Sequence, residues 1–280
     1  MAGVLYIVAT PIGNLEDITL RALRVLKEVG LIAAEDTRHT RHLLDHYGIK
    51  TALTSYHEHN ERAKAQNLVE RLLHGDSIGL VSDAGTPAIS DPGYRLVVAA
   101  LLAGIQVTPI PGAAALAAVI SASGLPSDRF VFEGFLPAKK QEKKKKLQKL
   151  QSEVRTLIFY EAPHRLKESL QDLQQVFGDR EIVVAREVTK MHEEFLRGTI
   201  SAVSEQIANR ELKGEITIVV HGSPSLAEVS DEEIEAEIRH LAGAGMGIKA
   251  ISELLGERYD LSKRGLYRLA LDLMQAKETD

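Results

Sequence analysis

The sequence predicts an α/β protein with two α/β domains and a small helical module at the C-terminus. In the first part of the chain, short apolar runs alternate with longer amphipathic stretches, which is typical of strands joined by helices. In the second part, further strands rich in β-branched residues follow one another. After Gly222-Ser223-Pro224 the strands stop and helical spacing begins. We therefore predict domains at residues 1–118, 119–224 and 225–280.

The first domain is expected to hold a mostly parallel sheet. Apolar runs predict its strands at 4–9, 31–34, 77–81 and 106–110, and apolar spacing predicts helices from about 20 to 29, 37 to 47, 60 to 74 and 91 to 104. Helical connections of about ten or more residues imply parallel pairing, with helices covering both faces. Asp17 is the expected cap of the first helix.

The second domain is expected to hold a mixed sheet, entered through a small-residue helix at 112–124. Its predicted strands lie at 130–136, 155–160, 181–185, 193–196 and 215–221, with helices at 139–152, 163–177 and 199–210. The tail is predicted to form helices at 231–242, 247–257 and 262–276, opened by a capping box at 230–233. Its last two helices have helix-turn-helix spacing, with Lys249, Lys263, Arg264 and Arg268 as a basic face, and a plain packing module is an equal alternative.

Composition excludes several classes of protein. The chain has no cysteine, which rules out disulfides, thiolate metal sites and cysteine catalysis. No apolar run approaches the roughly 18 residues of a membrane span, and no basic leader precedes the first strand, so we expect a cytoplasmic protein. The net charge of −5 argues against bulk capture of nucleic acid and leaves room for a local basic patch.

Four polar, turn-rich clusters follow the predicted parallel strands. They lie at 10–14, 35–38, 82–87 and 111–113. Ligands of such sheets bind beyond the carboxyl ends of the strands. The four loops therefore predict one binding site, although connections that the fold merely requires would have the same positions.

Common nucleotide and hydrolase motifs are missing from the sequence. No G-x-G-x-x-G follows a strand, and neither G-x-x-x-x-G-K-[ST] nor G-x-S-x-G occurs. A G-x-G-x-G at 243–247 lies between tail helices and is interpreted as a turn. His39, His42 and His46 have helical spacing but no glutamate partner in register, so no metal site is expected.

The segment 81–93 is the most informative loop, with two Gly, two Pro and two Asp in thirteen residues. Gly85 can expose backbone amides to a ligand because it lacks a Cβ, and Pro87 restricts the backbone conformations that the loop can adopt. Asp83 could accept a hydrogen bond from a ligand ammonium or a ribose hydroxyl. Capping its own loop is the structural alternative.

Residues 5–15, 33–38 and 81–93 resemble the tetrapyrrole (corrin/porphyrin) methylase superfamily. More narrowly, residues 125–137 and 157–165 resemble its branch of ribosomal RNA small-subunit methyltransferases, which 2′-O-methylate a cytidine in the decoding region of 16S ribosomal RNA. The similarity runs in order over residues 4–222. It implies the tetrapyrrole methylase fold, with S-adenosylmethionine in a cleft between two α/β domains, a homodimer, and 16S ribosomal RNA within the small ribosomal subunit as the partner.

The resemblance also implies a set of cofactor-binding residues. By position these are Ile12, Asp83, Gly85, Thr86, Ile89, Gly112, Ala113, Tyr160, Ala185 and Glu215. One departure concerns Gly85-Thr86-Pro87, where relatives acting on tetrapyrroles usually carry Gly-Asp-Pro. The nearby acidic group is Asp83 instead, which leaves its contact open.

Catalytic residues are less clearly indicated. The cluster at 35–39 combines a carboxylate, a hydroxyl, a guanidinium and an imidazole, and Asp36 is the first candidate for a general base, with Glu187 and Glu161 behind it. Capping of the following helix is the structural alternative for Asp36.

Candidate RNA contacts are basic residues on the rim or near the cleft, namely Arg38, His39, Arg165, Arg186 and Lys190. The seven lysines between 139 and 149 could bind phosphate or form a solvated helix. Two other functions stay open: a methylase of a tetrapyrrole or corrin precursor, and a non-catalytic RNA-binding factor of ribosome assembly.

Overall fold

The computed structural model describes residues 2–223, 231–259 and 261–275. The chain divides into two compact units, Met1–His221 and Gly222–Asp280. The predicted boundary between 224 and 225, and the Ser230 of the predicted capping box, lie outside the described residues.

The first sheet is five-stranded and wholly parallel, in the order β3-β2-β4-β1-β5. Its strands are β1 (Val4–Val8), β2 (Leu31–Ala34), β3 (Leu53–Ser55), β4 (Ile78–Val81) and β5 (Gln106–Ile110). Every residue of β2 and β4 is buried, because helices cover both faces of the sheet. The predicted parallel sheet is confirmed, but β3 was missed, since a three-residue strand shows no usable periodicity.

Four helices surround this sheet: α1 (Leu20–Glu28), α2 (Thr37–His46), α3 (Glu61–Leu73) and α4 (Tyr94–Leu102). One core contains residues of α3 and α4, and the other contains residues of α1 and α2. The cap predicted for α1 was wrong. Thr19 Oγ1 accepts the hydrogen bond from Ala22 N at 3.1 Å, whereas Asp17 belongs to a 3₁₀ turn that Asn14 caps.

The second sheet is mixed, in the order β6-β7-β10-β8-β9, with only the β6–β7 pair parallel. Its strands are β6 (Phe130–Phe135), β7 (Thr156–Glu161), β8 (Glu181–Arg186), β9 (Glu194–Thr199) and β10 (Ile216–Val220). Its helices are α5 (Ala115–Ser123), α6 (Lys140–Lys149), α7 (Leu166–Phe177) and α8 (Ile200–Ile207). One core joins α5 to the sheet, and the other joins α6, α7 and α8 to it. The predicted mixed sheet is confirmed.

The lysines of helix α6 were expected either to bind phosphate or to form a solvated helix, and two of them do neither. Lys143 is 1% exposed, and its Nζ lies 2.6 Å from Asp172 Oδ2 and 3.2 Å from Glu168 Oε1. Lys146 Nζ contacts Glu133 Oε2 at 3.1 Å. These two lysines fasten α6 to its neighbours and are not available to bind phosphate.

The second unit consists, in its described residues, of α9 (Asp231–Gly243), α10 (Ile248–Tyr259) and α11 (Lys263–Gln275). Apolar residues of all three helices form one small core. Gly245 adopts φ +84° between α9 and α10, which agrees with the predicted turn. In the described part of the chain, no helix is both long and apolar enough to cross a membrane.

Candidate functional site

A cavity of about 430 Å³ lies between the carboxyl edge of the first sheet and the second sheet. The first unit has two α/β halves, the first half built around the first sheet and the second half built around the second sheet, and residues of both halves line the cavity. The lining residues are Ile12, Glu35, Asp83, Ala84, Gly85, Thr86, Ile89, Ser90, Asp91, Ala114, Ala115, Phe135, Tyr160, Glu161, Ala162, Pro163, Gly214, Glu215, Ile216 and Thr217. Its volume lies within the roughly 300–1,000 Å³ of small-molecule sites. The predicted loops after β1, β2, β4 and β5 all meet at this edge.

The long loop after β4 is held from both sides. Gly85 N donates to Thr10 O at 3.1 Å and Thr10 N donates to Gly85 O at 2.8 Å, while Thr86 Oγ1 donates to Ala113 O at 3.1 Å. Ala88 and Ser90 have φ values of +68° and +63°. Left-handed conformations in residues with a Cβ cost about 1–3 kcal/mol each, and they concentrate where the backbone is shaped for a ligand.

The loops after β2 and β4 are joined by reciprocal hydrogen bonds. Asp83 Oδ1 accepts from Asp36 N at 2.9 Å, and Glu35 Oε2 accepts from Asp83 N at 3.4 Å. Asp83 therefore bridges two loops and does not merely cap its own. The other carboxylate oxygen of Asp83 makes no hydrogen bond within the described part of the chain, so it can meet a ligand.

The second half contributes aromatic rings to the cavity wall. Tyr160 Oη accepts from Leu116 N at 3.2 Å at the start of α5, so its own proton can be donated elsewhere. The pairing of β6 shifts between Phe132 and Phe135 around Gly134, which has φ +64°. This bulge turns Phe135 toward the cavity, where it is 55% exposed and its ring centroid lies 5.6 Å from that of Tyr160.

Five acidic residues line the cavity: Glu35, Asp83, Asp91, Glu161 and Glu215. Burial, and after it the neighbouring charges of Glu35 and Asp83, together raise the pKa of Asp91 to about 6, against a hydrogen bond from Ser82 that lowers it. Burial, followed by the charge of Asp83, also raises the pKa of Glu35. Such a concentration of negative charge favours a cationic ligand, which would stabilise the ionised carboxylates.

The two halves also touch beside the cavity, at Gly13. A Cβ on Gly13 would lie 2.4 Å from Lys190 Cγ and 3.0 Å from Thr189 Oγ1. Lys190 Nζ in turn donates to Glu187 Oε1 at 2.9 Å and to Glu215 Oε2 at 3.0 Å. Glu187 and Thr189 have positive φ values of 53° and 70°. A second turn with left-handed residues therefore lies where the second half contacts Gly13.

Most of the predicted cofactor residues line the cavity: Ile12, Asp83, Gly85, Thr86, Ile89, Tyr160 and Glu215. Three others do not. A Cβ on Gly112 would lie 2.9 Å from Ala9 Cβ, so this glycine allows the close approach of two loops. Ala113 holds Thr86 through its carbonyl oxygen. Ala185 is 0% exposed in the core beneath α5.

The three candidate bases are all engaged by the protein. Arg38 contacts the carboxylate of Asp36 at 2.7 Å, and this hydrogen bond holds the pKa of Asp36 well below its usual range. Asp36 also caps α2, as the structural alternative expected. Glu161 lines the cavity, but its oxygens accept from Ser169 Oγ and Ala162 N. These contacts favour supporting roles over proton transfer.

The predicted RNA-binding residues fall into two groups. Arg38 and His39 are exposed at the start of α2. Arg165 instead donates to Leu136 O and Pro137 O at 2.9 and 2.7 Å, and Arg186 contacts Glu194 Oε2 at 3.2 Å. Lys190 is held by the two carboxylates described above. Only the first group has side chains that are open to a large substrate.

Sequence reasoning missed several residues that face the cavity, above all Asp91 and Phe135. The turn signature Asp91-Pro92-Gly93 lay inside the loop that composition had singled out, and a glycine within the strand sequence FVFEGF is a known signal of a bulge. Neither signal tells which way the side chain points. No group of three or more His, Asp or Glu residues suited to a metal ion occurs among the described residues.

Comparison with known proteins identifies the family. The family profile described as Tetrapyrrole (Corrin/Porphyrin) Methylases matches residues 4–204. The chain belongs to the tetrapyrrole methylase family. The predicted family is thus confirmed, and the match covers the first sheet and every strand of the second sheet except β10.

Proteins named ribosomal RNA small subunit methyltransferase I are similar to this tetrapyrrole methylase over most of its length. The one from Synechocystis is 49% identical over 274 residues, which cover 97% of this chain and 98% of that protein. The one from Escherichia coli O157:H7 is 48% identical, with 96% and 95% covered. The one from Xylella fastidiosa is 56% identical over 224 residues, with 79% and 82% covered. The predicted similarity to this branch is confirmed.

Solved structures confirm the tetrapyrrole methylase fold. Uroporphyrin-III C-methyltransferase from Thermus thermophilus, complexed with S-adenosylhomocysteine, is 19% identical with a TM-score of 0.56, covering 78% of this chain and 97% of that one. The cobalt precorrin-4 methyltransferase CbiF is 16% identical with a TM-score of 0.58, covering 78% and 94%. At these identities the likeness concerns the fold.

Proposed function

We propose that this chain transfers the methyl group of S-adenosylmethionine to 16S ribosomal RNA of the small ribosomal subunit, at the 2′-hydroxyl of a cytidine in the decoding region. The observation that carries the proposal is the near full-length identity of 45–49% to several proteins named for methylation of small-subunit ribosomal RNA. We further propose that the enzyme works as a homodimer in the cytoplasm, on a partly or fully assembled subunit.

The residues of the cavity fit the proposed cofactor. S-adenosylmethionine carries a positive sulfonium and a positive ammonium, and the cavity is lined by five acidic residues, two of which, Glu35 and Asp91, have raised pKa values. Tyr160 has a hydroxyl proton to donate, and Phe135 and Ile89 supply apolar surface at the wall. When bound, the cofactor supplies a methyl group activated by its sulfonium.

The protein's own contribution to this reaction is chiefly alignment. Displacement at a methyl group requires acceptor oxygen, carbon and leaving sulfur to lie in line, and good alignment can supply roughly 7–11 kcal/mol. Hydrogen bonds tie the loop after β4 to the loops after β1, β2 and β5. The cavity wall is therefore fixed before a ligand arrives.

Asp36, Glu187 and Glu161 were the candidates for removing the hydroxyl proton. Each has partners that stabilise its present position, and Asp36 has a lowered pKa. A carboxylate so strongly held as an anion is a weak base, since proton transfer works best with a pKa near the working pH. We infer that proton removal contributes less than alignment in this enzyme.

The decisive experiment is methyl transfer in vitro. Purified protein is incubated with tritiated S-adenosylmethionine and small ribosomal subunits from cells lacking this protein, followed by mass spectrometry of the RNA. We expect label at one 2′-O-methylcytidine and little on short free RNA. Label on a corrin precursor but not on RNA would refute the proposal that ribosomal RNA is the substrate. Absence of cofactor binding by calorimetry would support an assembly factor instead.

A further inference from the structure

A second cavity of about 230 Å³ adjoins the first. Its lining comes from the loop after β1, from α2 and from the loop after β4. These residues are Thr10, Pro11, Gly13, Leu15, His39, Thr40, His42, Leu43, Ser82 and Asp83. The cavity is smaller than the roughly 300 Å³ at which drug-sized sites begin, so it suits a single small ring.

Asp83 lines both cavities. Its backbone and side chain are fixed by the loop that carries Glu35 and Asp36. A methyl group passes directly between donor and acceptor, which must approach to about 3–3.5 Å. The acceptor group must therefore bind next to the cofactor. The second cavity meets this requirement, because it shares the Asp83 wall with the first cavity, where the cofactor is proposed to bind.

Thr40 supplies a buried hydroxyl that has no hydrogen-bond partner in the part of the chain that the structure describes. It is 2% exposed and lines the second cavity. A buried hydroxyl without a partner costs about 1–3 kcal/mol, so such a group is usually satisfied by a ligand or a water molecule.

The surroundings of Thr40 suit a nucleobase. Pro11, Leu15 and Leu43 give the cavity apolar surface, and the exposed rings of His39 and His42 stand beside it on α2. Unpaired bases are commonly bound by stacking on rings such as histidine and by hydrogen bonds to their edges. The wall is rigid, because Tyr47 Oη donates to Leu15 O at 2.6 Å and Gly13 is pressed against Lys190.

We propose that the second cavity receives the base of the nucleotide that is methylated, with the Thr40 hydroxyl bonding the base edge and His39 and His42 beside the ring. The inference rests on the proposed RNA methyltransferase function. It places the ribose of that nucleotide at Asp83, where the two cavities meet. It also requires the target nucleotide to be unpaired and turned out of its RNA stack.

The test compares single substitutions along α2 in the full-length protein. Thr40→Val removes the hydroxyl and keeps the shape, and Thr40→Ser restores a hydroxyl. His42→Ala removes a ring at the cavity, whereas His46→Ala removes an exposed histidine one helical turn further on and outside the cavity. For each variant we would measure cofactor affinity by calorimetry, the melting temperature, and kcat and KM on small subunits.

Thr40→Val should lower kcat/KM for RNA roughly three- to tenfold, the effect of one lost hydrogen bond. Cofactor affinity should stay within about twofold, and the melting temperature should not fall, because an unsatisfied hydroxyl has been removed. Thr40→Ser should recover most of the activity. His42→Ala should lower kcat/KM, while His46→Ala should match the unmodified protein.

Two results would overturn the base-binding role. One is an unchanged kcat/KM in both Thr40→Val and His42→Ala, which would mean that the Thr40 hydroxyl bonds a water molecule and not the base. The other is a parallel loss of cofactor affinity and melting temperature in Thr40→Val with His42→Ala unaffected, which would show a structural role. Failure of the unmodified protein to methylate RNA at all would refute the proposed function itself, a different outcome from either of these.

Discussion

Replacing Asp91 by asparagine should make the protein more stable and at the same time weaken its hold on the cofactor. Asp91 lines the cavity together with Glu35, Asp83 and Glu215. Its pKa is raised to about 6, mainly by burial and next by the charge of Glu35. The ionised side chain therefore opposes folding at neutral pH, and asparagine removes that charge while keeping an oxygen that can accept from Ser82.

The size of the effect follows from linkage. A rise in the pKa of Asp91 from 3.8 to about 6 corresponds to a penalty of up to about 3 kcal/mol once the group is ionised in both states. Asp91 is only half-buried, so solvent screening reduces this to roughly 1–2 kcal/mol. Because the folded pKa is raised, the penalty is absent below pH 4, develops as pH rises through about 6, and is complete above it.

The assay is thermal unfolding of both proteins without cofactor between pH 5 and pH 8. We expect Asp91→Asn to melt roughly 2–8 °C higher at pH 8, with a smaller difference at pH 5. Calorimetry should show cofactor affinity of the unmodified protein rising with pH through about 6. The variant should bind roughly tenfold more weakly or worse at pH 7.5, with little pH dependence. Asp128→Asn, an exposed aspartate beside Arg129, is the control.

Two results would refute this reasoning. A lower melting temperature for Asp91→Asn at every pH would mean that the carboxylate stabilises the fold. Unchanged cofactor affinity would mean that the negative charge of the cavity does not serve a cationic ligand. If Asp128→Asn reproduced the effects, they would arise from net charge and not from the cavity.

Three further substitutions test other parts of the structure. Asp36→Asn should retain the cap of α2 and lower kcat less than tenfold in the methyl-transfer assay, whereas a general base would cost about 10²–10⁴-fold. Lys143→Ala should lower the free energy of unfolding by roughly 3–5 kcal/mol in urea titrations, because Asp172 loses its buried partner, while exposed Lys144→Ala should change it by less than about 0.5 kcal/mol. Gly13→Ala should weaken cofactor binding measured by calorimetry, because its Cβ would collide with the side chain of Lys190, which bonds Glu215 of the cavity wall; an affinity equal to that of the unmodified protein would contradict this.

Sequence patterns predicted every strand except β3, together with the four loops of the site, because burial on both faces and turn chemistry leave strong local signals. They did not predict which side chains point inward. Ala185 was assigned to the cofactor by the family resemblance, yet it faces the core beneath α5. Asp91 was not assigned, although its loop was singled out. Side-chain direction depends on the left-handed residues Ala88 and Ser90, which have no distinctive sequence signature.

The hydrogen-bond and ion-pair partners of the basic residues also could not be predicted from the sequence. Arg165 follows β7 and was predicted to meet the substrate, but it donates to two carbonyl groups between β6 and α6. Those carbonyls are nearly thirty residues away along the chain, so no local pattern could pair them. Exposed Arg38 and buried Lys143 illustrate the same point. The residue type indicates a positive charge, but only the tertiary structure shows which carboxylate neutralises it, Asp36 for Arg38 and Asp172 for Lys143.

The departure at Gly85-Thr86-Pro87 has a physical explanation in these contacts. Thr86 Oγ1 donates to Ala113 O and so ties the long loop to the chain that follows β5. An ionised aspartate has no proton to donate to that carbonyl, and it would add negative charge to a cavity where Asp91 and Glu35 already have raised pKa values. The threonine therefore fastens the loop, while the negative charge that favours a cationic cofactor comes from neighbouring positions. That division lets Asp83, placed where the two cavities meet, serve both of them.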